Sequence, residues 1–160
     1  MAQISIPLPL GIPLTMQSFA VMMAGIILGA KKGATATLLY VLVGFCGFPV
    51  FSRLTGGYQV LFGPTGGFLL SFPLLAFVSG VGAKLHLRFR GILLLMLFFG
   101  NMITLTLGTA MFCLITNSSL IVGITACILP FLLVTLVQII LAYILGLEIK
   151  KRLTKNSYDE

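Results

Sequence analysis

Acidic side chains are almost absent from this chain: Asp and Glu together number 3 in 160 residues, as Glu148, Asp159 and Glu160. There is one histidine, His86, and no tryptophan. Long apolar stretches that contain no carboxylate and no imidazole cannot hold an acid–base pair, a cluster of metal-binding side chains or an acidic proton relay at membrane depth. This weighs against an intramembrane protease and against a proton-coupled pump of the usual acidic kind. No GxxxxGK[ST] segment is present to cradle nucleotide phosphate, so any uphill movement of a solute must draw its energy from a partner. Cysteines number 3, and Cys46, Cys113 and Cys127 all lie in apolar segments without metal-ligand spacing; they read as small buried hydrophobes. The opening "MAQISIPLPLG" lacks a basic region and begins with turn residues, unlike a signal peptide.

Apolar residues fill the space that the charges leave. Hydrophobic residues make up 59% of the chain and charged residues 8%, against roughly 25% charged in a soluble domain. Mean hydropathy is +1.16. Too little polar surface remains to cover a water-facing globule, so the chain reads as one integral membrane domain over residues 1–160, set in a lipid bilayer. A spanning helix needs about 20 apolar residues. Five stretches qualify, at residues 13–30, 33–51, 67–83, 91–115 and 120–147. The last is too long for one span, and Pro130 marks a helix start within it, leaving 120–129 as a short preceding segment. No period-2 alternation suggests a barrel. The expected fold class is an all-α membrane protein, a helical bundle with five visible transmembrane helices.

The net charge of +7 could point to nucleic acid in another setting. Here it follows topology, and no nucleic-acid partner is expected. Lys31 and Lys32 separate the first two stretches; Lys84, His86, Arg88 and Arg90 separate the third and fourth; Lys150, Lys151, Arg152 and Lys155 belong to a basic tail at 150–160. These places fall on one side of the membrane and hold every Lys and Arg of the chain's 10 except Arg53. Since cytoplasmic loops carry the Lys/Arg excess, the expectation is a cell-membrane protein with its N-terminus outside and C-terminus cytoplasmic.

That orientation turns "TGGYQVLFGPTGG" at residues 55–67 outward. Gly tolerates positive φ and close backbone approach while Pro fixes φ, so the stretch is expected to fold back as a shaped loop rather than a helix. Beside it lies Arg53, the one external cation. Two readings stand: Arg53 meets a small anionic ligand such as a carboxylate, or it snorkels at a helix end. Within the spans, Gln17, Tyr40, Asn101, Thr135 and Gln138 are the main uncharged polar groups, and interhelical hydrogen bonding is their ordinary use. Thr135 and Gln138, three apart, share a helix face. Small residues recur at four-residue spacing, in Ala20 with Ala24, Gly25 with Gly29 and Ala76 with Gly80, and such faces pack closely within a chain or against a partner.

The segments "AQISIPLPLGIPLTMQ", "GFPVF", "LFGPTGGFLLSFPLLAF" and "LPFLL", in that order, resemble the BioY family of biotin transporters over nearly the whole chain. BioY proteins are S components, the substrate-binding subunits of energy-coupling factor transporters. The resemblance implies a six-helix bundle, not an enzyme, that captures biotin near its extracytoplasmic face without a cofactor. A transmembrane coupling subunit and two ABC-type ATPases then drive release inward, although some members are thought to act without them. On this reading the ligand-binding candidates are Gln17, Tyr40, Arg53, Tyr58, Gly63, Pro64, Thr65, Gly66, Gly67, Thr135 and Gln138. Ala20, Ala24, Gly25 and Gly29 are the candidates for packing against the coupling subunit.

Two departures from the family pattern stand out. The "QISIPLP"-like stretch normally follows a first transmembrane helix, whereas here it opens the chain, so five spans are visible where the family has six. In the last helix the family reads like "PFLPGDxxK", with an acid and a base three residues apart. This chain has "PFLLVTLVQ", which places neutral Thr135 and Gln138 there. If they face the ligand, they meet it with neutral hydrogen bonds, about half as strong as charge-assisted ones. The competing expectation is a degenerate or accessory membrane subunit that does not bind biotin, or one that binds a related small carboxylate.

Overall fold

In a computed structural model of the protein, residues 5–7, 13–89 and 91–156 are described. The N-terminal stretch forms a two-stranded antiparallel ribbon, β1 (Ser5–Pro7) with β2 (Pro13–Thr15), in the register Ser5↔Thr15, Ile6↔Leu14, Pro7↔Pro13. The helices are α1 (Gln17–Leu28), α2 (Ala30–Phe45), α3 (Tyr58–Leu61), α4 (Gly66–Leu85), α5 (Ile92–Thr116), α6 (Leu120–Gly123) and α7 (Leu129–Asn156). Among the described residues 3 helices are long and apolar enough to cross a membrane: α4, α5 and the 129–153 part of α7.

Local chemistry explains where the elements break. The first apolar stretch starts helix only at Gln17, because residues 13–15 are spent in the ribbon. The lysines expected to separate the first two spans instead lie in the first turn of α2, and Gly29 alone makes the break. Its φ of 85° is open to glycine and unfavourable for other residues. α2 ends before its apolar run does. Gly47 takes φ 101°, and Pro49 keeps Phe48 from helical geometry. In the last apolar run, Pro130 has no N–H to offer, and just before it a π-helical turn covers Ile124–Ile128, with the Leu129 N–H bonded to the Ile124 carbonyl five residues back. α7 then runs unbroken into the basic tail as far as Asn156.

The core is an α1–α2 hairpin laid on the α4–α5 pair, with α7 closing against α1. Met22, Ile26, Leu75, Ala76, Leu93 and Leu97 are sealed within it. The small residues act here. A Cβ built on Gly25 would collide with the Ala76 carbonyl, and one on Gly80 would strike the Gly29–Ala30 backbone. One on Gly33 would come 3.0 Å from the Ala24 carbonyl. Gly25, Gly29 and the Ala24 backbone are therefore in use inside the chain, between α1, α2 and α4, while Ala20 is part-exposed. The Thr109 hydroxyl has no partner among the described residues. Several other buried hydroxyls return their protons to their own helices, as in Ser79 to the Leu75 carbonyl at 2.7 Å and Thr37 to the Gly33 carbonyl at 2.9 Å. That keeps donors satisfied where lipid offers no partner.

Candidate functional site

The ends of the helices sort the chain into two poles. Lys31 and Lys32 at the start of α2, Lys84 and Arg88 around the end of α4, and Lys150 to Arg152 late in α7 occupy one pole. At the other lie the start of α1, the segment from Phe51 to Thr65, the first turns of α4 and α7, and a cavity of about 360 Å³ that reaches down to Asn101 and Thr104 near the middle of α5. Its walls include Phe51, Phe68, Phe72 and Phe131, and Phe68 and Phe131 stack at 5.9 Å. Such a volume is at the lower end of the roughly 300–1,000 Å³ usual for small-molecule sites.

Tight local folding puts Arg53 at the mouth. The Phe51 N–H bonds the Thr55 carbonyl at 2.9 Å, and the Thr55 hydroxyl donates to the Ser52 carbonyl at 2.7 Å. Within this loop both Arg53 and Leu54 adopt left-handed backbone, with φ of 58° and 56°. Non-glycine residues in that region cost on the order of 1–3 kcal/mol each and persist where the surroundings impose them. Glu148 is the one described carboxylate and lies at the opposite pole, so no ion pair holds Arg53 among the described residues. Ser52 beside it has a buried hydroxyl without a hydrogen-bond partner among those residues.

The floor presents acceptors. Asn101 is 2% exposed and spends its amide nitrogen on the Leu97 carbonyl at 2.9 Å and the Met22 sulfur at 3.1 Å. Its carbonyl oxygen is the atom left for a ligand. Thr104 gives its proton to the Gly100 carbonyl at 3.1 Å and keeps its lone pairs. A cation at the rim, aromatic walls and an acceptor floor suit a small molecule with a carboxylate at one end and N–H donors at the other.

The candidates taken from the sequence divide between the cavity wall and places away from it. Gln17, Arg53, Gly63, Pro64 and Thr65 line the cavity together. Gly66 and Gly67 do not: they open α4, where a Cβ on Gly66 would strike the Leu61 carbonyl and one on Gly67 would come 2.5 Å from the Leu107 carbonyl. The loop expected to exclude helix thus contains the single turn α3 and ends in the first turn of α4. Tyr58, 60% exposed, is on that turn and outside the cavity. Tyr40 stands behind the wall, accepting a hydrogen bond from Gln17 Nε2 at 2.7 Å and donating to the Val50 carbonyl at 2.9 Å. Thr135 and Gln138, expected to face the ligand, are buried against the bundle and line no part of the cavity. Gln138 faces the chain's own N-terminal segment instead. It donates to the Thr15 carbonyl at 3.0 Å and accepts from the Ser18 hydroxyl at 2.6 Å.

Ser52, Gln59, Thr104 and the aromatic walls were missed from sequence. Asn101 and Thr104 have the same three-residue spacing that drew attention to Thr135 and Gln138.

The BioY family model matches residues 1–155. The chain belongs to the BioY family. Biotin transporter BioY2 of Lactococcus lactis is 35% identical over 149 residues, spanning 92% of this BioY-family chain and 81% of that protein. Biotin transporter BioY of Thermotoga maritima is 50% identical over 80 residues, 49% of the chain and 47% of that protein. The probable biotin transporter BioY of Pyrococcus horikoshii is 43% identical over 81 residues, 51% and 49% respectively. The matched segment is therefore about half the length of the last two relatives. Among solved structures, the crystal structure of the S-component for biotin from an ECF-type ABC transporter superposes with a TM-score of 0.83. It is 24% identical, with 93% of this chain and 82% of that chain covered, and it shows that the two chains share a fold.

Proposed function

We propose that the cavity captures biotin from outside the cell, and that the chain is the substrate-binding subunit of an energy-coupled vitamin transporter. The observation that carries this is the polarity of the cavity, with Arg53 alone at the mouth and the Asn101 and Thr104 acceptors at the floor. Biotin matches that order: a carboxylate on an apolar tail, which runs to a ureido ring bearing two N–H donors. The energy would come from a transmembrane coupling subunit and two ABC-type ATPases, since the chain has no nucleotide-binding motif of its own. Names of the relatives and the fold support this reading. The test is equilibrium binding of biotin by the purified protein beside desthiobiotin and biotin methyl ester. Biotin is expected to bind tightest, and the ester at least tenfold more weakly, the equivalent of about 1.4 kcal/mol. Equal binding of acid and ester would remove Arg53 from the site.

The charge poles support an orientation with the cavity outside, the N-terminal ribbon outside and the C-terminus in the cytoplasm. With the exposed native Cys46 replaced by alanine, a cysteine at Ser118 should react with an impermeant thiol reagent applied to whole cells. One at Lys151 should react only after the membrane is opened. The reverse pattern would place the cavity inside the cell.

A further inference from the structure

Tyr40 and Gln138 touch no part of the cavity, yet both are hydrogen-bonded into its frame. Gln138, 2% exposed on α7, holds the Thr15 carbonyl and the Ser18 hydroxyl. The Thr15 hydroxyl donates to Gln17 Oε1 at 2.9 Å, and Gln17 Nε2 donates to the Tyr40 hydroxyl. Tyr40 passes its own proton to the Val50 carbonyl, and its ring meets Phe51 edge-on at 5.6 Å. Phe51, 1% exposed, has its ring pressed on Gly44 of α2, whose carbonyl also accepts from the Gly57 N–H at 2.7 Å. The chain of bonds runs from α7 through the N-terminal segment and α2 to the loop on which Arg53 is held in left-handed backbone. Four of its members, Thr15, Gln17, Ser18 and Phe51, line the cavity, while Gln138 and Tyr40 lie behind it.

We propose that Gln138 and Tyr40 are positioning residues: a relay of side-chain hydrogen bonds from α7 fixes the Phe51–Thr55 loop and so sets where the Arg53 guanidinium meets the ligand carboxylate. This rests on the biotin reading for its ligand, but the relay itself exists without one. The links are part-buried, and few other polar partners lie within reach of them: Gln138 Nε2 also approaches the Met16 sulfur at 3.6 Å, and the Thr15 hydroxyl also accepts from the Gln17 N–H at 3.4 Å. A broken link therefore leaves a polar group unpaired and frees its neighbour to turn. The loop feels this most, because two strained residues in it have alternative backbone states to relax into.

The experiment uses the full chain without ligand, in nanodiscs, with the near-isosteric variants Tyr40→Phe and Gln138→Met and their combination. Amide hydrogen exchange is followed across residues 50–57, whose N–H groups at Phe51, Thr55 and Gly57 are hydrogen-bonded. Each single variant is expected to speed exchange there by about five- to tenfold, the loss of about one neutral hydrogen bond, with α4 and α5 unchanged. The double variant should exceed the larger single effect little, as expected of links in series. Both variants should lower affinity for biotin and leave that for biotin methyl ester within about twofold, a split that a general loosening of the fold would not give. Should Gln138→Met fail to accumulate, Thr15→Val cuts the relay at an inner link with the same expected exchange. Wild-type exchange at 50–57 in Gln138→Met or Thr15→Val, or equal losses for acid and ester, would overturn the relay. If the unaltered protein binds neither compound, the biotin reading fails, while the exchange data still decide whether α7 holds the loop.

Discussion

Arg53→Ala is expected to weaken biotin binding by about 10- to 150-fold, the loss of a charge-assisted contact of about 1.5–3 kcal/mol. The same change should leave the protein's thermal stability close to its starting value. An alanine in the left-handed region is strained as arginine is, and no packing is lost at a side chain that lines a cavity mouth. Arg53→Lys should recover part of the affinity, since a point charge replaces a planar fork that can grip both carboxylate oxygens. Titration calorimetry on the three proteins, repeated at high salt, checks this. Similar affinity in Arg53→Ala would assign the arginine to membrane anchoring, the other reading its position allowed.

Gly66→Val should abolish transport. A sequence-level account would appeal to positive φ at this glycine, but the backbone there is helical, and among the described residues the positive-φ glycines are Gly29, Gly47, Gly57 and Gly91. The constraint is space: any Cβ on Gly66 runs into the Leu61 carbonyl, with the Met111 side chain at 2.9 Å beyond it. Forcing one in pushes the α3 turn away from α4, at a cost of at least the 1–3 kcal/mol typical of overpacking, roughly. Gly63, Pro64 and Thr65 form the connection between those elements and line the cavity, so the wall moves with it. Uptake of labelled biotin normalised to protein in the membrane is expected to fall by more than about tenfold, and Gly66→Ala should show a smaller loss in the same direction. Normal uptake by the valine variant would make the segment a plain connector.

Lipid made much of this architecture readable in advance. With no water to satisfy backbone groups, apolar runs of sufficient length have little choice but helix. The stretches at 67–83 and 91–115 accordingly return as α4 and α5 with ends shifted by a residue or two. Pro130 located the start of α7 by its missing N–H. Harder to see was Gly29, one glycine doing what a charged loop was expected to do, because a lysine pair fits a helix terminus as readily as a turn. The site divided on similar lines. Arg53 stood out by charge alone. The direction of Gln138 could not be read, because a three-residue spacing fixes which helix face two residues share and says nothing of what that face meets. Here it meets the ribbon end at Thr15, a contact made across 123 residues of sequence.

α1 and α2 have 12 and 16 residues, which at 1.5 Å per residue measure about 18 and 24 Å. The hydrocarbon layer is about 30 Å thick, and α5 with its 25 residues exceeds it at about 37 Å. One flank of the molecule is thus shorter than the lipid around it and the other longer. Lipid beside the α1–α2 hairpin must compress, or the whole bundle must lean to share the difference, at a fraction of a kcal/mol per ångström. Compression draws the headgroups at the basic pole toward Lys31 and Lys32 and thins the apolar layer beneath the cavity floor. A solute resting on Asn101 would then be separated from the water at the basic pole by less apolar material on the hairpin side than on the side of α5. The short helices make the depth of apolar material beneath the cavity a property of membrane thickness as much as of the protein.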